Sequence, residues 1–259
     1  FHPGKMMDSD MRAPLATQLQ GIVVIVGNYG SGKTEVAINL ALACRRTETR
    51  VRVIDLDLVN PYFRTREARD LLKAHDIELV LPPAPYLHAD LPVLSPAVSG
   101  AIRSPGPLTI LDVGGDDVGA TVLASLADAF RDQTIDMLQV VNPNRPNTDS
   151  VAGCQAMRIE IETAAQLAVT GWIGNAHLME ETLPDTIVAG YGFASELSRA
   201  SGLPLTFITA PMAVVGSLGD EAFDCPVLPI QRQLVPPRLL AEKITLPDSR
   251  TPGGATDKG

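Results

Sequence analysis

The sequence predicts an α/β fold in which a mostly parallel central sheet carries helices on both faces. Three observations lead to it. Apolar runs rich in Val, Ile and Leu recur at 21–27, 51–57, 108–113, 135–142, 168–174 and 204–210, and unbroken apolar strands are those buried on both faces. Stretches with helical periodicity separate these runs, which is the alternation that builds a parallel sheet. Several runs end in acidic residues, Asn or Gly, at the sheet edge where open α/β folds hold ligands.

The elements follow in order. Residues 1–19 are polar and irregular, and the start Phe1-His2-Pro3-Gly4-Lys5-Met6-Met7 resembles a cloning remnant ahead of a native Met. A first strand at 21–27 leads through a glycine-rich turn into a helix of about 33–46. The second strand, 51–57, turns acidic at its end, Asn60-Pro61-Tyr62 bends the chain, and 63–75 reads as an amphipathic helix. A short strand at 77–81 precedes Pro82, Pro83, Pro85, Pro92 and Pro96, a density that favours extended loop, with a short helix near 93–102. Then come strand 108–113, helix 118–131, strand 135–142, the turn Asn142-Pro143-Asn144-Arg145-Pro146 and helix 148–166. Strand 168–174, helix 185–201, strand 204–210 and a short apolar segment at 226–230 complete the fold. One domain over 20–244 is expected, and the Pro/Gly/Asp-rich tail 245–259 is expected to be disordered.

Composition narrows the function. The core must be aliphatic, because the chain is 45% hydrophobic but only 4% aromatic. A net charge of −9 over 259 residues argues against a nucleic-acid surface. Cys44, Cys154 and Cys225 lie far apart without a C-x-x-C pair, which suits buried thiols in a reducing compartment. No apolar run approaches the ~18 residues of a bilayer span. Gln231 to Leu240 is broken by Pro236 and Pro237 and makes a poor membrane-anchoring helix. A cytoplasmic protein is expected.

The chemistry centres on Gly27-Asn28-Tyr29-Gly30-Ser31-Gly32-Lys33-Thr34. This is G-x-x-x-x-G-K-[ST] between a buried strand and a helix, the context that gives the pattern its meaning. Glycines let successive N–H groups curl around a phosphate, and the helix N-terminus adds unpaired donors and its positive dipole end. Lys33 supplies a point charge for β- and γ-phosphates, and the Thr34 hydroxyl is placed to ligate Mg²⁺. Gly27 through Thr34, with Glu35 after them, are the expected nucleoside-triphosphate contacts. Asp112 ends strand 108–113 and is a candidate for the Mg²⁺ shell, while Gly114 and Gly115 would let backbone N–H approach the γ-phosphate and move when it leaves. Asp55 and Asp57 are two apart on a strand and should share a face, where a cation would relieve their repulsion. Asp55 is assigned near the metal and Asp57 to the attacking water; a solvated strand end is the plain alternative.

Together these motifs resemble the MinD/ParA group of P-loop ATPases, over about residues 20–215. Asn175 after strand 168–174 is similar to that family's adenine-reading Asn, and Ala210-Pro211 resembles its base-side loop. The resemblance implies a three-layer P-loop NTPase fold, ATP and Mg²⁺ as ligands, Lys33 on the phosphates, Thr34 on the metal and Asp57 positioning water. It also implies an ATP-dependent homodimer reshaped by switch segments near 55–66 and 112–119, acting on a client protein. Asn28 stands where the group usually carries a second lysine that reaches across the dimer. Arg64, Arg66 or Arg145 could supply that cation, or could be ordinary surface arginines.

Other residues stay open. His177 either frames the base or makes a local loop hydrogen bond, and Asp116 and Asp117 either reach Mg²⁺ or cap the following helix. Tyr29 touches a nucleotide or a partner. Trp172 reads as core, and His75 and His88 receive no role. The expected function is a slow, partner-stimulated ATP-hydrolysing switch, without nucleic-acid or membrane partners. A small-molecule kinase or ATP-dependent ligase of the cobyrinate amidoligase or dethiobiotin synthetase kind is the alternative.

Overall fold

The computed structural model describes residue 15 and residues 18–47, 49–57, 65–81, 96–115, 117–218 and 223–234, with backbone alone at 66, 67, 117 and 118. The sequence assignments at Asn60-Pro61, Arg64, the prolines of 82–92, His88, Asp116 and both chain ends lie outside those residues, as do the side chains of Arg66 and Asp117.

Among the described residues, eight strands form one sheet in the order β3-β2-β4-β1-β5-β6-β7-β8. They are β1 (Gly21–Gly27), β2 (Val51–Leu56), β3 (Glu78–Val80), β4 (Leu108–Val113), β5 (Ile135–Val141), β6 (Gly171–Gly174), β7 (Leu205–Pro211) and β8 (Val227–Ile230). Every pairing is parallel. The helices are α1 (Lys33–Arg45), α2 (Arg69–Ala74), α3 (Pro96–Arg103), α4 (Asp117–Ser125), α5 (Ala127–Phe130), α6 (Val151–Ala165), α7 (Pro184–Ser201) and α8 (Met212–Val215).

Alternation along β1 divides the core. Val23 and Ile25 point to the face covered by α1 and α2, where Val36, Leu40 and Leu72 meet them. Ile22, Val24 and Val26 point to the other face and pack with Ile102 of α3, Leu123 of α4 and Ile161 of α6. Trp172 on β6 is fully buried and packs with Leu197 of α7, while its indole N–H donates to Ser201 Oγ at 2.8 Å. Because β1 lies at the centre, its C-terminal turn opens at the middle of the sheet's ligand edge, flanked by β4 and β5.

Three local departures from the sequence reading have physical causes. The helix expected at 118–131 divides at Leu126, where Ser125 Oγ donates to the Val122 carbonyl at 2.6 Å, a local bond that competes with helix continuation. The described part of the helix expected at 63–75 starts as a 3-10 turn over Thr65–Ala68, and the Thr65 hydroxyl is drawn to Asp112. Strand 168–174 begins only at Gly171, since the Val169 N–H is taken by the Glu162 carboxylate at 2.9 Å. The segment at 226–230 is a true strand, parallel to β7.

Candidate functional site

The turn after β1 wraps the N-terminus of α1. Gly32 has φ of 92° and is the N-cap, with no side chain to occupy the helix's first N–H groups. A Cβ there would run into the Asn175 amide, so both backbone and space demand glycine. Lys33 is 7% exposed, and its Nζ donates to the Asn28 carbonyl at 3.0 Å, folding the ammonium back over the loop. The Asn28 amide donates to the Pro146 carbonyl at 2.9 Å. It therefore staples the loop to the turn carrying Arg145, where a second lysine was the comparison in sequence. Tyr29 projects outward and is 69% exposed.

Beside the loop, β2 and β4 present their acids in register, with Asp55 paired to Asp112 and Asp112 next to Ile25 of β1. Both carboxylates are fully buried. Asp112 Oδ2 accepts from Thr65 Oγ1 at 2.7 Å, whereas its Oδ1 is buried with no hydrogen-bond partner. Burial first, and then the negative Asp55, push the Asp112 carboxyl up to about 7, against the opposing pull of Thr65, Lys33 and Thr34. Asp57 lies just past the end of β2, two residues beyond Asp55 in the chain direction. Its N–H donates to Asp55 Oδ1 at 3.0 Å.

The two glycines after β4 close the space. A Cβ on Gly114 would sit 3.3 Å from Asp57 Oδ1, and one on Gly115 would sit 2.6 Å from Lys33 Nζ and 2.8 Å from Tyr29 Cα. Lys33, Tyr29, Asp57, Gly114 and Gly115 are thus brought together from three loops.

On the far side of the loop, Asn175 is 5% exposed and both ends of its carboxamide are engaged. The amide donates to the Ser31 carbonyl at 2.6 Å, and the oxygen accepts from Thr209 Oγ1 of β7. In this structure the residue braces the phosphate loop against β7, two residues short of Pro211, and only one amide N–H is left for a ligand. His177 follows, with its Nε2 near Gly32. Burial and the charges of Arg145 and Arg232 lower it to about 4, so the imidazole is neutral at pH 7.

Glu35 corrects the sequence assignment. Its carboxylate is taken up by the chain after β8, accepting the N–H groups of Gln233 and Leu234 at 2.7 to 3.1 Å. Residue 35 is the third of α1, and the helical turn carries it onto the flank covered by the chain after β8. Thr65, Thr209 and Asn39 were missed altogether. Their partners lie 47, 34 and 192 residues away, and no local pattern signals such pairings.

The donor set fits a hard divalent cation. An orphaned buried carboxylate oxygen on Asp112, the Asp55 carboxylate beside it and the Thr34 hydroxyl are oxygen ligands of the kind Mg²⁺ takes.

No family model matches this sequence, and no curated protein sequence matches it significantly. Solved structures do. The cell division protein FtsY from Thermotoga maritima superposes with a TM-score of 0.54 at 18% identity, covering 77% of this chain and 68% of that one. Chloroplast FtsY from Physcomitrella patens gives 0.51 at 16% identity, covering 78% and 66%. A nucleotide-binding protein from Archaeoglobus fulgidus, in complex with ADP, gives 0.45 at 20% identity over 78% and 86%. The fold is that of the three-layer P-loop NTPases. This chain spans about two thirds of the FtsY chains it resembles.

Proposed function

We propose that the chain is a Mg²⁺-dependent ATPase of the MinD/ParA kind, a slow nucleotide switch that acts on a client protein. The observation that carries this reading is the meeting of Lys33, which opens the uncapped N-terminus of α1 and lies against Gly115, with the buried, register-paired Asp55 and Asp112, the latter within electrostatic reach of the Lys33 ammonium.

In this reading the N–H groups of residues 30–34 and the Lys33 ammonium bind the β- and γ-phosphates. Thr34, Asp55 and Asp112 hold Mg²⁺, which, when bound, neutralises phosphate charge. The Gly115 N–H follows the γ-phosphate, and its loss on hydrolysis frees the 112–119 segment to shift. Asp57, next to Gly114, orients the attacking water and accepts its proton; the water oxygen bonds to the γ-phosphorus as the bond to the bridging oxygen breaks, releasing ADP and phosphate. The base lies by Asn175, His177 and Pro211. Adenine as the base follows from the resemblance of Asn175 to the family's adenine-reading Asn.

The client role and a nucleotide-dependent homodimer rest on the family resemblance alone. Among the described residues no helix is long and apolar enough to cross a membrane.

The deciding experiment is phosphate release with Mg-ATP and Mg-GTP, alongside nucleotide titration and size in solution, for the intact protein and Asp57→Ala. We expect slow ATP turnover that drops by about 10²-fold or more in the variant, with ATP affinity kept. Turnover unchanged in Asp57→Ala removes the role given to that residue, and no nucleotide binding removes the function.

A further inference from the structure

The chain after β8 does not leave the fold freely. It runs along α1 and is gripped by two side chains one helical turn apart, Glu35 and Asn39. The Asn39 carboxamide pairs with the backbone of Gln231 in both directions, accepting its N–H at 2.9 Å and donating to its carbonyl at 3.0 Å. Glu35 Oε1 accepts the Leu234 N–H at 2.7 Å, and both its oxygens lie 3.1 Å from the Gln233 nitrogen. Asn39 Nδ2 also donates to Glu35, so the two grips form one network. Leu234 is 6% exposed and joins the core cluster of α1. Arg232 lies between, with Nη1 on Glu180 at 2.7 Å, close enough to bias both Glu35 and His177 electrostatically.

This grip is made by the first two turns of the helix whose N-terminus closes the phosphate loop. We infer that residues 231–234 form a clasp whose closure is coupled to occupancy of the phosphate loop. The inference rests on the nucleotide-binding reading above. Its sign follows from shared geometry. A bound polyphosphate holds the turn that carries Lys33 and Thr34, and Glu35 and Asn39 belong to the same two turns, so a filled loop presents both grips in the one arrangement that residues 231–234 fit. Closing the clasp supplies two N–H donors and brings the Arg232 cation nearby. Nucleotide therefore tightens the clasp, and, because coupling between sites is reciprocal, an opened clasp weakens nucleotide binding by the same factor. The segment that continues past residue 234 thereby receives a signal from the nucleotide site without touching it.

The test is amide hydrogen exchange at Gln233 and Leu234 in the full chain, with and without saturating Mg-ATP, with ATP binding measured separately by titration calorimetry. Coupling of ordinary size slows exchange at both amides by about 5- to 150-fold, while the N–H groups of β8 change little. Asn39→Ala, which opens the clasp but leaves the Glu35 charge in place, should weaken ATP by the same factor. ATP that binds while both amides exchange at unchanged rates overturns the clasp alone. ATP that does not bind overturns the nucleotide reading and the clasp with it. The wild-type exchange measurement decides the question even if the variant does not fold.

Discussion

Individual residues here do work that their type alone does not reveal. His177 is the clearest case, because its neutrality comes from burial and from two arginines brought in by distant segments, Arg145 and Arg232. Its folded value near 4 lies below the ordinary 6.5, so the unfolded chain binds the extra proton more readily. The stability this group contributes is complete above pH 6.5 and is lost as pH falls through 4. His177→Gln should therefore unfold with a shallower loss of stability between those limits than the parent, measured by denaturant titration at stepped pH. Cys154 is similarly shaped by surroundings. Burial pushes its thiol up to about 12, so it should resist a disulfide reagent at pH 8 until the protein unfolds. Asn175, read from sequence as similar to a base-reading Asn, also braces the loop. Asn175→Ala strands the Thr209 hydroxyl and the Ser31 carbonyl, and should cost about 1–3 kcal/mol in chemical denaturation.

At the level of elements, the strand–loop–helix unit of β1 and α1 was legible because its signal is local. The apolar run, the glycine turn and the helix are adjacent in the chain, and the observed boundaries, Gly21–Gly27 and Lys33–Arg45, fall within a residue of those read from sequence. Where the reading slipped, a tertiary or side-chain bond had displaced a local preference, as at Ser125 and Thr65. The approach of α7 to the end of β6 is another such feature. A Cβ on Gly190 would collide with Ala176, so this pairing exists only with glycine on the helix. Gly190→Ala should push α7 off the sheet at a cost of about 1–3 kcal/mol, and because Ala176 separates Asn175 from His177, ATP affinity should fall with it. Thermal unfolding and ATP titration of that variant check both halves.

At the scale of the molecule, the parallel order that sets β2 beside β4 turns two remote acids into neighbours. Asp55 and Asp112 are 57 positions apart in sequence yet register partners, and two fully buried carboxylates side by side are costly without a cation. Ligand binding should accordingly stabilise the whole fold. At Mg-ATP about 100-fold above its dissociation constant the gain is about 2.7 kcal/mol, which for a domain of this size raises the melting temperature by roughly 5–10 °C. Differential scanning fluorimetry with Mg-ATP, with ATP plus chelator and with Mg²⁺ alone tests it, and Lys33→Ala should lose most of the shift.

By itself the sequence determined the layered parallel architecture, the phosphate loop, and which acids stand at the ligand edge, because hydrophobic period, glycine placement and strand ends are properties of contiguous residues. It could not determine that Asn175 braces the loop, that Asn28 is stapled to the turn at Pro146, or that Glu35 turns from the loop to hold Gln233 and Leu234. Those side chains could each have served the ligand. Only the folded chain, by bringing carbonyls and N–H groups from up to 199 residues away within hydrogen-bonding distance, decided which backbone groups they hold.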